Sequence, residues 1–425
     1  MTVATPAEAT VKARAAREAS RTLRFATTEQ KDAALEGAAC GLLAAQDALL
    51  EVNADEVQRA RARGFEPSFI DRMTLTPERI AAIAETTREV AALPDPVGQM
   101  EDVRMRPNGM QVGRMRVPIG VIGAVYESRP NVTVDIASLC LKSGNAVVLR
   151  SGSDAHESSS ALAGIVTAAA EAAGLPAGSV QFIESTERAQ VGALLAAHDQ
   201  IDLLVPRGGA DLIRRIRDEA TMPVVAGGIG VCHTYVDADA DLDVAVAIAV
   251  NAKVRRPSVC NTLDTLLVHR SVAADVVPRL SQELASHGVT IHADDDAARL
   301  AAVGGGARVV AVEPDDYDRE WLSLDCSVRV VDSLDEALGH IAEHGSGHSE
   351  AIATDSYTAA QRFQREVDAA SVFVNVSTGF ADGGEYGLGT EFGISTQKLH
   401  ARGPMGLREL TSYKWVVLGH GQTRP

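Results

Sequence analysis

The sequence predicts an α/β protein: a doubly wound parallel sheet, a second α/β domain after it, and a small β element. Three observations carry this. At 425 residues the chain is too long for one ordinary domain. From residue 120 onward, short apolar runs alternate with longer alanine-rich runs, the pattern of strands joined by helices. Aromatic residues make up only 4% of the chain, which favours close helix-on-sheet packing over an aromatic-cored sandwich.

Residues 1–95 read as helical. Thr27 and Gln30 stand at capping-box spacing. Thr76-Pro77-Glu78 is a second start, in which threonine caps, proline takes the first helical position and glutamate suits the positive helix end. Next, Val103–Arg106 and Met110–Val117 alternate apolar and basic residues around Pro107-Asn108-Gly109, a hairpin signal. A two-stranded ribbon is marginal alone. The hairpin and the strand expected at Thr411–Leu418 are therefore predicted to pair between subunits, giving a dimer or a dimer of dimers.

The parallel sheet follows. Strands are expected at Gly120–Tyr126, Ala146–Leu149, Val180–Ile183 and Ile201–Val205, and another begins at Val224-Val225. Helices are expected at Val132–Lys142, Ser158–Ala173, Arg188–Ala197 and Ala210–Glu219. Ligands of such sheets sit at the strands' carboxyl ends. Two of these ends suit phosphates: Arg150-Ser151-Gly152-Ser153 offers a guanidinium and hydroxyls, and Pro206-Arg207-Gly208-Gly209 offers a cation and amides at a helix start. Neither matches a dinucleotide fingerprint or a Walker loop.

A second α/β block begins at Gly227-Gly228-Ile229-Gly230, after which a helix from Leu242 leads to Cys260. Pro257 breaks that helix, so Cys260 falls in a loop before the strand Leu263–His269, close to Arg255 and Arg256, whose charge favours thiolate. The competing reading is a packed cysteine. Residues 287–331 read as short strands and turns. A helix is expected at Leu334–Glu343, a short strand at Ala351–Ala353, a helix at Tyr357–Val367 and a strand at Ser371–Val376. Gly379–Pro404 is irregular and carries the potential cations Lys398, His400 and Arg402, an anion site or a solvated loop. The domain boundaries expected are 1–102 with 120–226 for cofactor binding, 227–402 for catalysis, and 103–119 with 403–425 for oligomerisation.

Composition excludes several roles. Hydrophobic content of 46% and charged content of 23% fit a globular protein with ample core. A net charge of −17 argues against nucleic acid and against membrane surfaces. The five cysteines are widely spaced and odd in number, which fits neither a disulfide framework nor a zinc site. No metal is expected. Met1–Ala16 lacks a signal peptide's apolar core, and no apolar run nears the ~18 residues of a membrane span. The expectation is a cytoplasmic protein.

The order of features resembles the aldehyde dehydrogenase superfamily. Tyr126-Glu127-Ser128-Arg129-Pro130-Asn131-Val132-Thr133, Arg256-Pro257-Ser258-Val259-Cys260-Asn261, and Ser395–Pro404 closing with Met405-Gly406-Leu407 resemble the branch that reduces an acyl phosphate. The resemblance covers nearly the whole chain. It implies NADPH-dependent reduction of L-glutamyl 5-phosphate to L-glutamate 5-semialdehyde, the second step of proline synthesis from glutamate. The alternative is another acyl-phosphate or acyl-thioester reductase on the same scaffold. The resemblance makes Cys260 the nucleophile that forms a thioester, and Asn131 with the Cys260 amide the oxyanion donors. It places Arg150, Ser151, Gly152 and Ser153 at the cofactor's ribose and its 2′-phosphate, and Pro206, Arg207, Gly208 and Gly209 beside the cofactor. Lys398, His400 and Arg402 would hold substrate phosphate or carboxylate, and Glu127 and Arg129 the amino-acid groups. A transient contact with the upstream glutamate kinase is a further implication. One departure is informative: oxidising members carry a glutamate base at the glycine turn, where this chain reads Val225-Ala226-Gly227-Gly228-Ile229-Gly230. Without an activated water a thioester is spared for hydride.

Overall fold

The computed structural model describes residues 7–424, in two compact units. The first comprises residues up to Gly227 together with 387–393 and 405–425, and the second comprises Gly228–Tyr386 and Ile394–Pro404.

The first unit opens with five helices: α1 (Glu8–Leu23), α2 (Thr28–Ala44), α3 (Gln46–Ala62), α4 (Pro67–Met73) and α5 (Pro77–Ala92). Local chemistry sets their starts. Thr27 accepts from the Gln30 amide while the Gln30 side chain accepts from the Thr27 amide, and Thr76 caps α5 with Pro77 in its first turn. Met1–Pro6, part of the stretch read as helical, lie outside the described residues. Strands β1 (Met100–Met105) and β2 (Gln111–Pro118) form the expected antiparallel hairpin. A four-stranded parallel sheet follows, built from β3 (Val121–Tyr126), β4 (Ala146–Ser151), β5 (Val180–Phe182) and β6 (Leu203–Arg207) in the order β5-β4-β3-β6. Helices α6 (Asn131–Lys142), α7 (His156–Ala172), α8 (Arg188–Leu195) and α9 (Ala210–Glu219) connect and flank it. Since β3 leads to β4 on one side and pairs with β6 on the other, the strand order reverses between β3 and β6, the place where such sheets open a crevice.

Two expectations change here. Val224 forms only an isolated bridge to Leu204 instead of starting a strand. Strand β6 runs past Val205 to include Pro206 and Arg207. Leu204 bonds on both its N–H and C=O to the 223–225 segment, so two residues on, the missing N–H of Pro206 faces that side, beyond where the pairing stops.

The second unit contains a seven-stranded parallel sheet of β7 (Cys232–Val236), β8 (Leu263–His269), β9 (Thr290–Ala293), β10 (Arg308–Ala311), β11 (Asp325–Val331), β12 (Ser349–Ala353) and β13 (Ser371–Val374). Its order is β10-β9-β11-β8-β7-β12-β13. The helices are α10 (Leu242–Val254), α11 (Arg270–Ser286), α12 (Asp295–Gly304), α13 (Leu334–His344) and α14 (Tyr357–Glu366). Strands β7 and β8 are buried on both faces, as a parallel sheet with helices on each side requires. Val246, Val276, Leu280 and Leu284 pack on one face around Leu266 and Val268, and Ile341, Ala359 and Phe363 pack on the other around Tyr235 and Leu267. Helix α12 breaks the expectation of strands and turns alone between 287 and 331. Asp294 caps it by accepting from the Ala297 amide.

Two-residue strands β14 (Ile394–Ser395) and β15 (Gly403–Pro404) pair antiparallel in this unit. The last strand, β16 (Thr411–Leu418), belongs to the first unit and lies antiparallel to β2 along its whole length, Thr411 opposite Pro118 and Leu418 opposite Gln111. This corrects the expectation of pairing between subunits: hairpin and terminal strand close on each other within one chain. The ribbon thus gains the third strand that independent stability asks for.

Candidate active site

Cys260 sits in the turn between α10 and β8, at the amino edge of the second sheet. Its side chain is half-buried, whereas Cys140, Cys232 and Cys326 are buried. The turn is held by side chains bonded to backbone carbonyls. The Thr262 hydroxyl donates to the Arg256 carbonyl at 2.7 Å, and the Asn261 side-chain Nδ2 donates to the Ala381 carbonyl at 3.0 Å. From beneath, the Cys232 thiol donates to the Cys260 carbonyl at 3.2 Å. Burial, with the Asp264 carboxylate nearby, pushes the Cys232 thiol well above its ordinary range, so it stays a protonated donor. Gly230 lies against the same carbonyl. A Cβ there would stand 1.8 Å from the Cys260 oxygen.

Arg255 does not fill the role its sequence neighbourhood implied. Its guanidinium donates to the Gly379 carbonyl at 3.0 Å, bracing the loop that also receives Asn261. The glycine turn also differs from its sequence reading. It has no carboxylate in sequence, yet Glu320 accepts from the Gly230 amide at 3.1 Å. Burial raises the Glu320 carboxyl. Ninety residues separate the two along the chain, so no local motif could announce the contact. Asp264 fastens the next strand by accepting from the Cys232 amide at 3.2 Å and the Trp321 amide at 3.0 Å, and burial pushes it up to about 7.

In the first unit, the sequence-predicted residues gather at the carboxyl edge of the sheet. Arg150 and Ser151 end β4, Pro206 and Arg207 end β6, and Glu127, Arg129 and Asn131 follow β3. The Arg150 guanidinium donates to the Thr186 carbonyl at 3.1 Å, and its Nε is buried with no hydrogen-bond partner. An unspent buried donor beside Gly152 and Ser153 fits an anionic group of a dinucleotide. Ser151 is buried and bonded to His156 Nδ1 at 3.2 Å.

Glu127 is placed differently from expectation. Its carboxylate accepts from the Gly209 amide at 3.1 Å, at the amino end of α9. It therefore braces the Gly208-Gly209 turn and spends the amide that a phosphate was expected to take. The first turn of α7 is likewise occupied, since Glu56 accepts from the Glu157 amide at 2.7 Å and the Ser158 amide at 3.2 Å. Carboxylates of the chain itself thus sit where phosphates meet helices in other dinucleotide folds.

Asn131 opens α6, and its amide donates to Asp135 one turn on, at 2.9 Å. Asp135 was missed in the sequence, although its spacing from Asn131 puts both on one helix face. Burial pushes its carboxyl up to about 6, opposed by the Asn131 amide and by the charge of Arg207. The ionised carboxylate accepts only, so it fixes which end of the Asn131 amide faces it and leaves that nitrogen's second hydrogen for another acceptor. Lys398 and Arg402, read as an anion site, both pair with Asp368, Arg402 at 2.8 Å. Most of that positive charge is met inside the second unit.

Residues 1–304 match the aldehyde dehydrogenase family. A gamma-glutamyl phosphate reductase of Dehalococcoides mccartyi is 54% identical over 413 residues, 97% of each chain. The chain belongs to the gamma-glutamyl phosphate reductases. The family's Escherichia coli member is 50% identical over 406 residues, covering 95% of this chain and 97% of that one. The crystal structure of a gamma-glutamyl phosphate reductase from Thermotoga maritima superposes with a TM-score of 0.95 at 44% identity, over 98% of this chain and all of the other. The motifs around Asn131 and Cys260 thus sit in a gamma-glutamyl phosphate reductase fold. Among the described residues no cluster could hold a metal ion, and no single helix is long and apolar enough to cross a membrane.

Proposed function

We propose that the chain reduces L-glutamyl 5-phosphate to L-glutamate 5-semialdehyde with NADPH and releases phosphate, the second step of proline synthesis from glutamate. The observation that carries this is the family likeness over nearly the entire length, with the Asn131 and Cys260 motifs intact. The Cys260 thiolate adds to the acyl carbon, the carbon–oxygen bond to phosphate breaks, and a thioester remains. Asn131, oriented by Asp135, donates to the oxyanion formed on the way. One such donor is worth roughly 3–4 kcal/mol. Arg150, Ser151, Gly152 and Ser153 hold the cofactor's ribose end, where the guanidinium suits a 2′-phosphate, and Pro206, Arg207, Gly208 and Gly209 line its path. Bound NADPH supplies the hydride that converts the thioester to the aldehyde. As the carbon–sulfur bond breaks, Cys260 recovers its thiolate. Arg129, His400, Lys398 and Arg402 are proposed to meet the substrate's anionic groups, the last two after exchanging Asp368 for them.

The reverse reaction tests the proposal. Purified protein given L-glutamate 5-semialdehyde, phosphate and NADP⁺ is expected to form NADPH only when all three are present. Phosphate-dependent turnover of a different aldehyde, with none of this one, would support the alternative of another acyl-phosphate reductase. Transient hand-over of the labile acyl phosphate from glutamate kinase belongs to the same proposal.

We also propose a homo-oligomer, a dimer or a dimer of dimers, through the three-stranded sheet. Met105, Tyr413, Trp415 and Val417 expose 70, 45, 62 and 53% of their surface there. Alternate positions of β16 place Tyr413, Trp415 and Val417 on one face. At micromolar concentration the protein is expected to sediment as a dimer or larger, and Trp415→Asp to shift it toward monomer. A fully active wild-type monomer would defeat this.

A further inference from the structure

The first unit contains a cavity of about 410 Å³ whose wall includes Asp71, Arg72, Arg79, Arg129, Asn131 and Asp135. It holds more charge than a packing defect would. Part of that charge is internally matched: Arg79 pairs with Asp71 at 2.7 Å and donates to the Thr74 carbonyl at 2.8 Å. Arg72 stands over the Phe69 ring at 6.0 Å and makes no ion pair among the described residues. Asp135 accepts from Asn131 through one oxygen. Beside Arg129, already proposed to meet the substrate, the wall therefore presents Arg72, which has no ion pair among the described residues, and the carboxylate of Asp135, joined to the proposed oxyanion donor by a single hydrogen bond.

We infer that this cavity reads the amino-acid end of the substrate, Asp135 taking its α-ammonium and Arg72 its α-carboxylate. The inference rests on the function proposed above and adds the groups that select the substrate. The spacing agrees with it. Two methylenes separate the reacting carbonyl of a glutamyl group from its α-carbon, so ammonium and carbonyl oxygen lie about 5–6 Å apart. The Asn131 nitrogen puts the Asp135 oxygen about 5 Å from an oxygen that takes its second hydrogen, and an ammonium bonded to Asp135 on the side of the carbonyl falls within that reach. An arriving ammonium stabilises the ionised Asp135 carboxylate against the burial that pushes it up to about 6.

The test compares kcat/KM in the phosphate-dependent reverse reaction for L-glutamate 5-semialdehyde, 5-oxopentanoate, which lacks the amino group, and 4-aminobutanal, which lacks the carboxylate. The wild-type enzyme is expected to favour the first over each of the others by about 100-fold. Asp135→Asn should erase the preference over 5-oxopentanoate and keep that over 4-aminobutanal. Arg72→Gln, an exposed change that spares the fold, should do the opposite. A variant that slows all three aldehydes by one factor acts through Asn131 or the fold, and that result overturns the inference. Wild-type turnover of the two analogues without turnover of glutamate 5-semialdehyde is a separate signature, which overturns the functional reading itself.

Discussion

Cys260→Ser is expected to lower phosphate-dependent NADP⁺ reduction by about ten-thousand-fold or more, with NADPH binding and melting temperature unchanged. The chemical ground is acidity. A serine hydroxyl is not ionised near neutral pH, so it attacks the acyl carbon far more slowly than a thiolate. The structural ground is that the fold grips the backbone of this residue through Cys232 and the carbonyls around it, while the side chain stays half exposed. Exchange of sulfur for oxygen therefore leaves the scaffold intact. Alkylation provides an independent reading. Of the five cysteines, Cys40 is exposed and Cys260 partly so. The Cys40 thiol donates to the Glu36 carboxylate at 3.4 Å and contacts the Arg88 guanidinium, outside the motif around Cys260. A Cys40→Ser enzyme should still be inactivated by iodoacetamide, with the label on Cys260. Turnover retained by Cys260→Ser would refute the nucleophile.

What the sequence shows of this protein is what neighbouring residues decide. The caps at Thr27 and Thr76 and the Asn108-Gly109 turn work over three or four residues, and each forms where expected. The loop placing Cys260 between helix and strand was equally legible, because Pro257 and the apolar run from Leu263 frame it. Helix α12 had local signals too, a capping Asp294 and two acidic residues in its first turn, but only Ala297 and Ala301 are buried along it. So thin an apolar stripe gives periodicity little to detect. The misplaced roles share another cause. Glu127 meets Gly209, Glu320 meets Gly230, and Asp368 meets Lys398 and Arg402 across 82, 90 and up to 34 residues. The carboxylates at Gly209 and at Lys398 and Arg402 claim donors the sequence reading had given to a ligand, and Glu320 brings to the glycine turn a carboxylate absent from its local sequence. Such contacts come from the sheet order and not from any local pattern, so a list of cations and glycine amides overstates what remains open to bind.

Gly230→Ala is the second large effect expected, and it acts without touching a reacting atom. Gly230 is not one of the glycines with left-handed φ, so what it supplies is room. A methyl group there would stand 1.8 Å from the Cys260 carbonyl oxygen and 3.0 Å from its Cα, both backbone atoms. Neither side yields easily. Gly230 is tied to Glu320 through its amide, and the Cys260 carbonyl is tied to the Cys232 thiol. Relief therefore requires moving the cysteine turn, the glycine turn or both. Overpacking of this kind costs about 2 kcal/mol or more, and a nucleophile shifted by about 1 Å loses about 100-fold in kcat. Gly192→Ala in α8 is the matched control, because nothing lies within 4 Å of its added methyl. That change should raise stability by about 0.5–1 kcal/mol and leave kcat alone. If Gly230→Ala instead kept wild-type kcat with a lowered melting temperature, the glycine would matter to the fold and not to the aim of Cys260. A fall in kcat, with NADPH affinity unchanged, is the result that ties the glycine turn to the thiolate.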